Sequence, residues 1–357
     1  MDDITRLCRE QTRLTMLQIS LLSRMAIVFP FLADLAHGEL KVYVRTKDPE
    51  SFLIVAQQRP HTVYLPGKDS AVGCRVRSIE EPLIKETFQT GKPARGKREW
   101  NYGSMVDMFT FGIHDGDKVI GVLNFEVDLD KLSIEGYSHL LDAAVAVLYH
   151  ARHILNPEQF RPITASDGII ITDAHSRIVF ADAAAVRSYR VRGVGSRRGG
   201  HLFDRQMTQH VTRETVETDR PWQKEITAGG LILIRREIVV REGGNLCMRI
   251  VIISDVTETR AKDKEIRIKS AVIQEIHHRV KNNLQAIASL QRIQARRAKT
   301  AEVKAARKES VNRIRSISVV HEYLSQQGRE DIDVPEVMGH IFDLAARNMT
   351  DRDFLIR

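Results

Sequence analysis

The longest regular pattern of apolar and polar positions runs from Thr259 to about Ala298, a stretch that contains no Gly or Pro and is rich in Lys, Arg, Glu and Ile. Its apolar positions follow heptad spacing through Ile266, Ile273, Val280 and Ile287. A continuous heptad seam predicts one helix, on the order of 60 Å long, that packs against other helices.

A second helix is predicted to begin at Thr300 and to stop at Gly328, because glycine commonly ends helices. Its apolar side runs through Val303, Ile314, Ile317, His321 and Leu324. His321 is therefore interpreted as a core or interface residue. Two antiparallel helices whose apolar seams need a partner predict a four-helix bundle in a homodimer.

The first 155 residues mix helical and strand patterns and predict an α/β domain. Residues 2–37 predict one or two helices with a break near Pro30, and residues 129–155 predict a long helix. Four strands are predicted between them, at residues 41–45, 52–56, 105–113 and 119–127. Two prolines then mark residues 156–163 as a linker.

Residues 164–258 predict a second, smaller α/β domain. Two short strands and a polar turn occupy residues 166–182, and a helix is expected at residues 183–189. Three further strands are predicted at residues 230–234, 238–241 and 248–254. Asp255 follows the last strand, and its carboxylate is predicted to cap the long helix.

The composition narrows the possible functions. The 357 residues carry a net charge of +8, and the surplus is concentrated in an Arg-rich helical stretch at residues 292–308. Because the basic residues are not interleaved with aromatic ones in an arm, the charge indicates a solvated helix face or an acidic partner. Direct binding of nucleic acid is not expected.

Cysteine usage and hydropathy favour a cytoplasmic location. The three cysteines lie far apart and form no CxxC pair, which indicates neither a disulfide framework nor a zinc site. The apolar stretch 16–37 is interrupted by Arg24, Pro30 and Asp34, so we expect buried helices and no membrane association. Any stimulus would then be intracellular.

Candidate ligand-binding residues are few. Four residues on loops beside the first predicted sheet are candidates for a pocket, with ordinary surface positions as the alternative: Arg59, His61, Cys74 and Arg75. His201 and His210 have no recognisable haem or flavin sequence around them, so no bound cofactor is expected. Residues 192–200 contain four Gly and three Arg but lack the Lys-Ser/Thr of a P-loop, and they are interpreted as a surface loop.

The strongest candidate chemistry lies on the long helix. At about 100° per residue, His277 lies about 40° from Ile273 in the seam, whereas His278 lies about 140° from it. His277 should therefore border the packed side and His278 should face outward, together with Glu275 and Asn282. An exposed imidazole beside a carboxylate and an amide can accept a group from a docking protein, although many helix histidines are simply solvated.

Residues 275–285 read Glu-Ile-His-His-Arg-Val-Lys-Asn-Asn-Leu-Gln. They closely resemble the phosphoacceptor box of bacterial sensor histidine kinases in the branch whose box reads His-Arg-Val-Lys-Asn, related to the HWE kinases. The resemblance implies that the histidine before the Arg, His278, is phosphorylated. Commoner kinases have an acidic residue after the histidine and this chain has Arg, so Glu275 is the hypothetical general base. Lys281 and Asn282 are suitable neighbours for a phosphoryl group.

Two weaker resemblances concern the segments before the box. Residues 1–155 resemble the GAF-like sensor found with the same kinase branch. In residues 164–258 the Asp-Gly entry, the Thr-Asp turn, the Ala-rich helix and the Asp-Val-Thr-Glu exit resemble a PAS domain. The implied fold is α+β and multidomain, with a GAF-like α/β sensor, a PAS sensor and a helical hairpin at residues 259–328 that forms a dimeric four-helix bundle.

The resemblance implies a two-component sensor kinase. An unknown small-molecule signal would act on a sensory domain, a kinase domain holding ATP and Mg²⁺ would phosphorylate His278, and the phosphoryl group would pass to a response-regulator aspartate. Regulators of this branch often carry an RNA-binding antiterminator output. The alternative is a non-enzymatic dimeric scaffold that binds a regulator or a partner kinase.

The boxes of an ATP-binding domain, an Asn-rich segment and an Asp-x-Gly-x-Gly loop, do not occur in this sequence. Residues 329–357 are therefore interpreted as the lead-in to a missing ATP-binding domain. We expect the chain to receive phosphate without phosphorylating itself.

Overall fold

The computed structural model describes residues 3–64, 70–101, 104–132, 135–150, 157–190, 199–203, 222–228 and 230–326, with the single positions 335, 338, 339 and 342. The chain forms two compact units, Met1–Thr257 and Glu258–Arg357. The interpretations of His210, of Gly328, of most of residues 192–200 and of most of residues 329–357 concern positions outside the described residues, as does the side chain of His321.

The first part of the first unit combines helices with a six-stranded antiparallel sheet. The helices are α1 (Asp3–Gln11), α2 (Met16–Met25), a 3₁₀ turn (Ala26–Val28), α3 (Phe29–Leu35), α4 (Pro82–Thr90), α5 (Leu129–Leu132) and α6 (Tyr137–His150). The strands are β1 (Glu39–Arg45), β2 (Ser51–Gln58), β3 (Arg75–Arg77), β4 (Ala94–Asn101), β5 (Ser104–Asp115) and β6 (Lys118–Val127), in the order β3-β2-β1-β6-β5-β4.

Alternation along the strands divides this sheet into an apolar face and a mixed face. Val42 of β1 pairs with Ala56 on one side and with Leu123 on the other. Val42 and Leu123 belong to a core that also contains buried residues of α1, α2, α3 and α6. The opposite face carries Tyr43, which packs with Phe88 of α4 in a smaller apolar cluster. Helices therefore cover both faces, which gives the GAF-like α/β fold.

Four strands in this region were predicted within a few residues, whereas β3, α4 and β4 were not predicted. The prediction of one helix over residues 129–155 is wrong, because α5 and α6 are separate helices and Gly136 between them has a φ of 80°. The predicted break near Pro30 agrees with the structure, because α2 ends at Met25, the 3₁₀ turn follows and α3 begins at Phe29. Pro30 itself lies in the first turn of α3. Proline is tolerated there because the first N–H groups of a helix have no intrahelical partner.

The apolar stretch Met16–Leu35 has the length and composition of a membrane-spanning helix, and half of it is buried inside the protein. The stretch is divided among α2, the 3₁₀ turn and α3. Met25, Val28 and Leu32 are fully buried in the core. Its hydropathy is thus explained by packing under the sheet, in agreement with the predicted buried helices.

The second part of the first unit contains a five-stranded antiparallel sheet. Its elements are a 3₁₀ turn (Pro157–Phe160), β7 (Gly168–Thr172), β8 (Ile178–Ala181), α7 (Ala183–Arg190), β9 (Trp222–Ala228), β10 (Leu231–Glu242) and β11 (Asn245–Asp255), and the strand order is β8-β7-β11-β10-β9. The prediction of separate strands at residues 230–234 and 238–241 is wrong, because both belong to β10, and β9 was not predicted.

The second sheet is buried on both faces. Ile170, Leu233, Val251 and Ile253 pack with α7 on the inner face. Ile169, Ile171, Ile250 and Ile252 lie on the outer face and belong to the same core as α3 and α6. Because both faces are covered, β7 reads as a continuous apolar run. The two sheets therefore share one hydrophobic core through the helices between them.

The second unit is a helical hairpin. It consists of α8 (Thr257–Arg297), which begins at the end of the first unit, and α9 (Ala301–Gln326). Ala288 of α8 and Val311 of α9 are buried, and Arg307 donates a hydrogen bond to Oε1 of Gln291 at 2.9 Å. The predicted long helix and the start of the second helix after Thr300 agree with these bounds.

Candidate functional site

The two adjacent histidines of α8 differ in exposure. His278 is exposed, whereas His277 is partly buried. This is the order that the helical phase predicted. Asn282, one turn after His278, is also exposed, and Lys281 is partly buried. The imidazole of His278 is thus accessible to a protein that docks against this side of α8.

Glu275 lies one turn before His278, but its carboxylate binds another residue. Nε of Arg279 donates to Oε1 of Glu275 at 2.8 Å. The hydrogen bond and the charge of Arg279, with a smaller contribution from His278, lower the pKa of Glu275. A lower pKa makes Glu275 a weaker base, so the ion pair with Arg279 opposes the general-base role predicted from the sequence.

The apolar seam of α8 is largely open to solvent. Its residues are about half exposed and include Ile266, Ile268, Val272, Ile273, Ile276, Ile287, Leu290 and Ile293. Val303 and Ile317 of α9 are similarly exposed. A row of exposed aliphatic side chains of this length marks an association surface, because monomeric proteins rarely leave such patches uncovered.

The start of α8 is fixed by a local turn. Oδ1 of Asp255 accepts hydrogen bonds from N of Thr257 at 2.9 Å and from its Oγ1 at 2.5 Å. The acceptor lies two residues before the first helical residue, so Asp255 forms a turn ahead of the helix and does not occupy the predicted N-cap position. Oγ1 of Thr257 also accepts from N of Ile232 in β10 at 2.8 Å.

A chain of charges, in which the carboxylates are buried and Arg98 is partly exposed, crosses the mixed face of the first sheet. Nζ of Lys41 lies 3.2 Å from Glu39 and 2.7 Å from Glu126. Nη1 of Arg98 lies 3.5 Å from Glu126 and 2.7 Å from Glu81. Burial raises the pKa of Glu81, and Arg98 acts against that rise. Charges of alternating sign thus offset one another where desolvation alone would be costly.

A second buried set lies on the inner face of the second sheet. Arg235, Glu237 and Arg249 are 2–3% exposed. Nη2 of Arg235 donates to Glu237, and Nη1 of Arg249 lies 3.9 Å from Oε2 of the same carboxylate. The guanidinium of Arg249 also lies 5.3 Å from the ring centroid of Phe203. Sequence reasoning missed both buried sets, although charges at alternate strand positions were a visible signal.

The four candidate pocket residues of the first domain are not brought together. Arg59 donates to Glu39 at 3.3 Å, and His61 binds Asp34. Arg75 is the first residue of β3 and donates to Gln11 at 2.8 Å, while Cys74 is exposed. Arg75 pairs with Leu53 near the start of β2, whereas Arg59 follows the end of that strand, so these two residues lie at opposite ends of β2. Within the described part of the chain, no cluster of three or more His, Cys, Asp or Glu is arranged to hold a metal ion.

Comparison with known proteins assigns the matched segments. A family model described as "Histidine kinase" matches residues 275–348, and its first matched residue is Glu275. A model described as "Histidine kinase PdtaS, GAF domain" matches residues 4–137, which contain the six-stranded sheet.

Whole-chain similarity decides the family. The sensor histidine kinase PdtaS of Mycobacterium tuberculosis is 30% identical over 341 residues, an alignment that covers 88% of this chain and 68% of the relative. This chain belongs to the PdtaS family of sensor histidine kinases. The PdtaS protein of Mycolicibacterium smegmatis is 29% identical over 341 residues and covers 88% of this chain and 67% of that relative.

A solved structure supports the fold of the first unit. The structure entitled "Sensor region of a sensor histidine kinase" superposes with a TM-score of 0.52 at 23% identity, and it covers 73% of this chain and 100% of that chain. Membership in the PdtaS family makes this chain the sensory and phosphoacceptor part of a two-component kinase. A response regulator is accordingly its partner.

Proposed function

We propose that the chain is phosphorylated on His278 and passes the phosphoryl group to an aspartate of its response regulator. The observation that carries this proposal is the exposure of His278 on α8, inside the segment that matches the histidine kinase model, next to a partly buried His277. The imidazole Nε2 or Nδ1 attacks the γ-phosphorus of ATP, the bond to the leaving ADP oxygen breaks, and a phosphohistidine forms.

The neighbouring residues have distinct proposed roles. Lys281 and Asn282 stabilise the charge of the transferring phosphoryl group, because catalysis of this reaction is mainly positioning and charge stabilisation. Glu275 is proposed to accept the ring proton of His278. Since Arg279 holds that carboxylate in the described state, Glu275 can act as a base only after Arg279 has moved to another anion. A phosphate of the docked nucleotide is such an anion.

The proposal divides the chain into a GAF-like domain at residues 1–155, a linker at 156–163, a PAS domain at 164–258, a phosphotransfer hairpin at 259–328 and a lead-in at 329–357. The five-stranded antiparallel sheet with α7 supports the PAS assignment. The exposed apolar seam of α8 supports a homodimer in which two hairpins form a four-helix bundle. A cytoplasmic location and a small-molecule signal belong to the same proposal.

ATP, bound with Mg²⁺ by the kinase domain, is the phosphoryl donor in this scheme. The test therefore requires that domain. The chain is joined to the ATP-binding domain of a PdtaS relative and incubated with ATP labelled at the γ-phosphate. The unaltered chain should retain acid-labile, base-stable label. The His278→Gln variant should lose more than about 95% of it, because glutamine has no imidazole nitrogen to accept the phosphoryl group.

The matched control is His277→Gln, which changes the adjacent and partly buried ring. It should keep most of the label, although its packing is perturbed. Transfer is then followed by adding the response regulator and measuring label on its aspartate. Full labelling of the His278→Gln variant would contradict the assignment. Absence of label on every variant, with an ATP-binding domain that is active on its own substrate, would favour a non-enzymatic scaffold.

A further inference from the structure

Asp34 occupies an unusual position between the two sheets of the first unit. It lies on α3, and its side chain is completely buried. Oδ1 accepts a hydrogen bond from N of His61 at 2.6 Å, and Oδ2 accepts one from N of Ile163 at 2.8 Å. His61 belongs to the loop after β2, and Ile163 belongs to the segment that leads into the second sheet. One carboxylate thus joins two backbone segments that are about a hundred residues apart in sequence.

Asp34 makes further contacts with the loop after β2. Nδ1 of the His61 ring lies 3.1 Å from Oδ1 of Asp34, and Oγ1 of Thr62 donates to the main-chain O of Asp34 at 3.1 Å. At its other end the loop reaches the buried charges of the first sheet, since Nε of Arg59 donates to Glu39 at 3.3 Å. A displacement of these charges would therefore shift Arg59 and, through the loop, His61.

The second sheet approaches the same place through Arg236 of β10. Nη1 of Arg236 donates to the main-chain O of Arg161 at 3.0 Å, and its guanidinium lies 6.0 Å from the ring centroid of Phe31. Phe31 also makes an edge-to-face contact with Phe160 at 5.5 Å. Burial lowers the pKa of Arg236 to about 10, and Asp34 is one of the charges that counteract this lowering.

We propose that Asp34 is the coupling residue between the sheets, through which the state of the loop at residues 59–64 reaches residues 160–163 and β10. The physical basis is the cost of a buried carboxylate that loses its donors. The carboxylate contacts three groups, which are the N–H of His61, the ring of His61 and the N–H of Ile163. If the loop moves away, only the N–H of Ile163 remains. Burial already raises the pKa of Asp34, so the carboxylate then has to bind a proton, admit water or draw Arg236 closer.

Each of these responses alters the packing of α3 against the linker and β10. Arg236 pairs with Ile252 of β11, and β11 ends at Asp255, directly before the turn at Thr257. The loop and the exit strand of the second sheet are thereby connected by contiguous contacts. The proposal does not depend on the chemistry at His278, and it can be tested without phosphate.

The test is hydrogen exchange of the full chain, followed by mass spectrometry, for the unaltered protein, Asp34→Asn, His61→Ala and the double variant. His61→Ala removes the ring contact from a half-exposed side chain, so it perturbs the loop with little loss of core packing. Both single variants should speed exchange about tenfold in peptides covering residues 160–164 and 231–241, because a charge-assisted hydrogen bond is weakened. Exchange in these peptides should be no faster in the double variant than in Asp34→Asn alone, since the route passes through Asp34.

The matched control is Asp173→Asn. Oδ1 of Asp173 also accepts two backbone N–H groups, those of His175 and Arg177 at 2.8 Å each, but all three residues lie in the turn between β7 and β8. Its effect should remain in peptides covering residues 173–178. Additive effects in the double variant, or faster exchange confined to residues 59–64, would overturn the proposal. If Asp34→Asn does not fold, unchanged exchange of residues 160–164 in His61→Ala would overturn it equally.

Discussion

Protonation of His37 is predicted to destabilise the first unit at mildly acidic pH. His37 connects α3 to β1 and has a φ of 49°, which is uncommon for a residue other than glycine. Within the described residues, its buried Nδ1 has no hydrogen-bond partner. Burial lowers the pKa of the ring to about 4 from an ordinary 6.5, so the folded protein holds this imidazole neutral.

The sign of the effect follows from which state binds the proton. Between pH 6.5 and about 4 the unfolded chain protonates His37 and the folded chain does not, so stability falls as the pH falls. The full difference corresponds to about 3 kcal/mol at 1.36 kcal/mol for each pKa unit. By pH 5, roughly 2 kcal/mol of this is already lost relative to pH 7.

The assay compares the unaltered chain with His37→Asn, because asparagine tolerates a positive φ and does not titrate in this range. The sequence contains two tryptophans, so Trp222→Phe in both proteins leaves Trp100 of the first sheet as the fluorescent reporter. Urea unfolding at pH 7 and pH 5 then gives the free energy of unfolding for each protein. Effects of all other titrating groups cancel in the comparison.

The unaltered chain should lose about 2 kcal/mol more between pH 7 and pH 5 than His37→Asn. Equal losses in the two proteins would refute the reasoning, because they would mean that His37 titrates alike in the folded and unfolded states. A direct NMR titration of His37 near pH 6.5 in the folded protein would refute it in the same way.

Two further predictions concern the second sheet and the dimer. A Cβ at Gly168 would lie 2.5 Å from N and Cα of Ala185, so Gly168→Ala should lower the free energy of unfolding by about 1–3 kcal/mol. Unfolding is measured by the fluorescence of Trp222 in a Trp100→Phe background. The control is His175→Ala, at an exposed position. An equal effect of the control would contradict this reasoning. Ile276→Asn should raise the dimer dissociation constant at least about tenfold in sedimentation equilibrium, whereas Gln274→Asn should not. Unchanged dimerisation of Ile276→Asn would exclude this part of the seam from the interface.

The long helix and four strands of the first sheet, β1, β2, β5 and β6, were predictable because their signals are local. The heptad spacing of Ile266 and Ile273 and the absence of Gly and Pro specify α8 without reference to the remainder of the chain. α4 was missed although its signals are present, since Pro82 lies in its first turn and Gly91, with a φ of 68°, ends it. α4 has only nine residues, and so short an apolar pattern did not distinguish a helix from the loops on either side of it.

The orientation of the two histidines was also predictable, because helical phase depends only on spacing. The partner of Glu275 was not predicted. Arg279 lies four residues after Glu275, a spacing that favours an ion pair on a helix, and this pairing competes with any contact to His278. The sequence motif identifies Glu275 as a candidate base, whereas its ion pair with Arg279 determines whether the carboxylate is available to accept a proton.

Buried charge is where sequence reasoning failed, and the reason is physical. Glu39 and Lys41 alternate with apolar residues on β1, whereas Arg235, Arg236 and Glu237 are consecutive charged residues within the otherwise apolar first part of β10. Such alternation ordinarily means that one face of a strand meets water. The carboxylates of both sets are nevertheless buried, because elements distant in sequence cover both faces, and the cost of desolvation is offset by neighbouring opposite charges.

The same reasoning applies to Asp34, which the sequence presents as a polar interruption of an apolar stretch. From the sequence this interruption was interpreted as evidence against a membrane span, but it gave no indication that the carboxylate would bind His61 and Ile163. A charged residue persists in a core only where the surrounding donors hold it. Because those donors come from both sides of the junction, the stability of Asp34 depends on the arrangement of the sheets, which is the physical condition for coupling them.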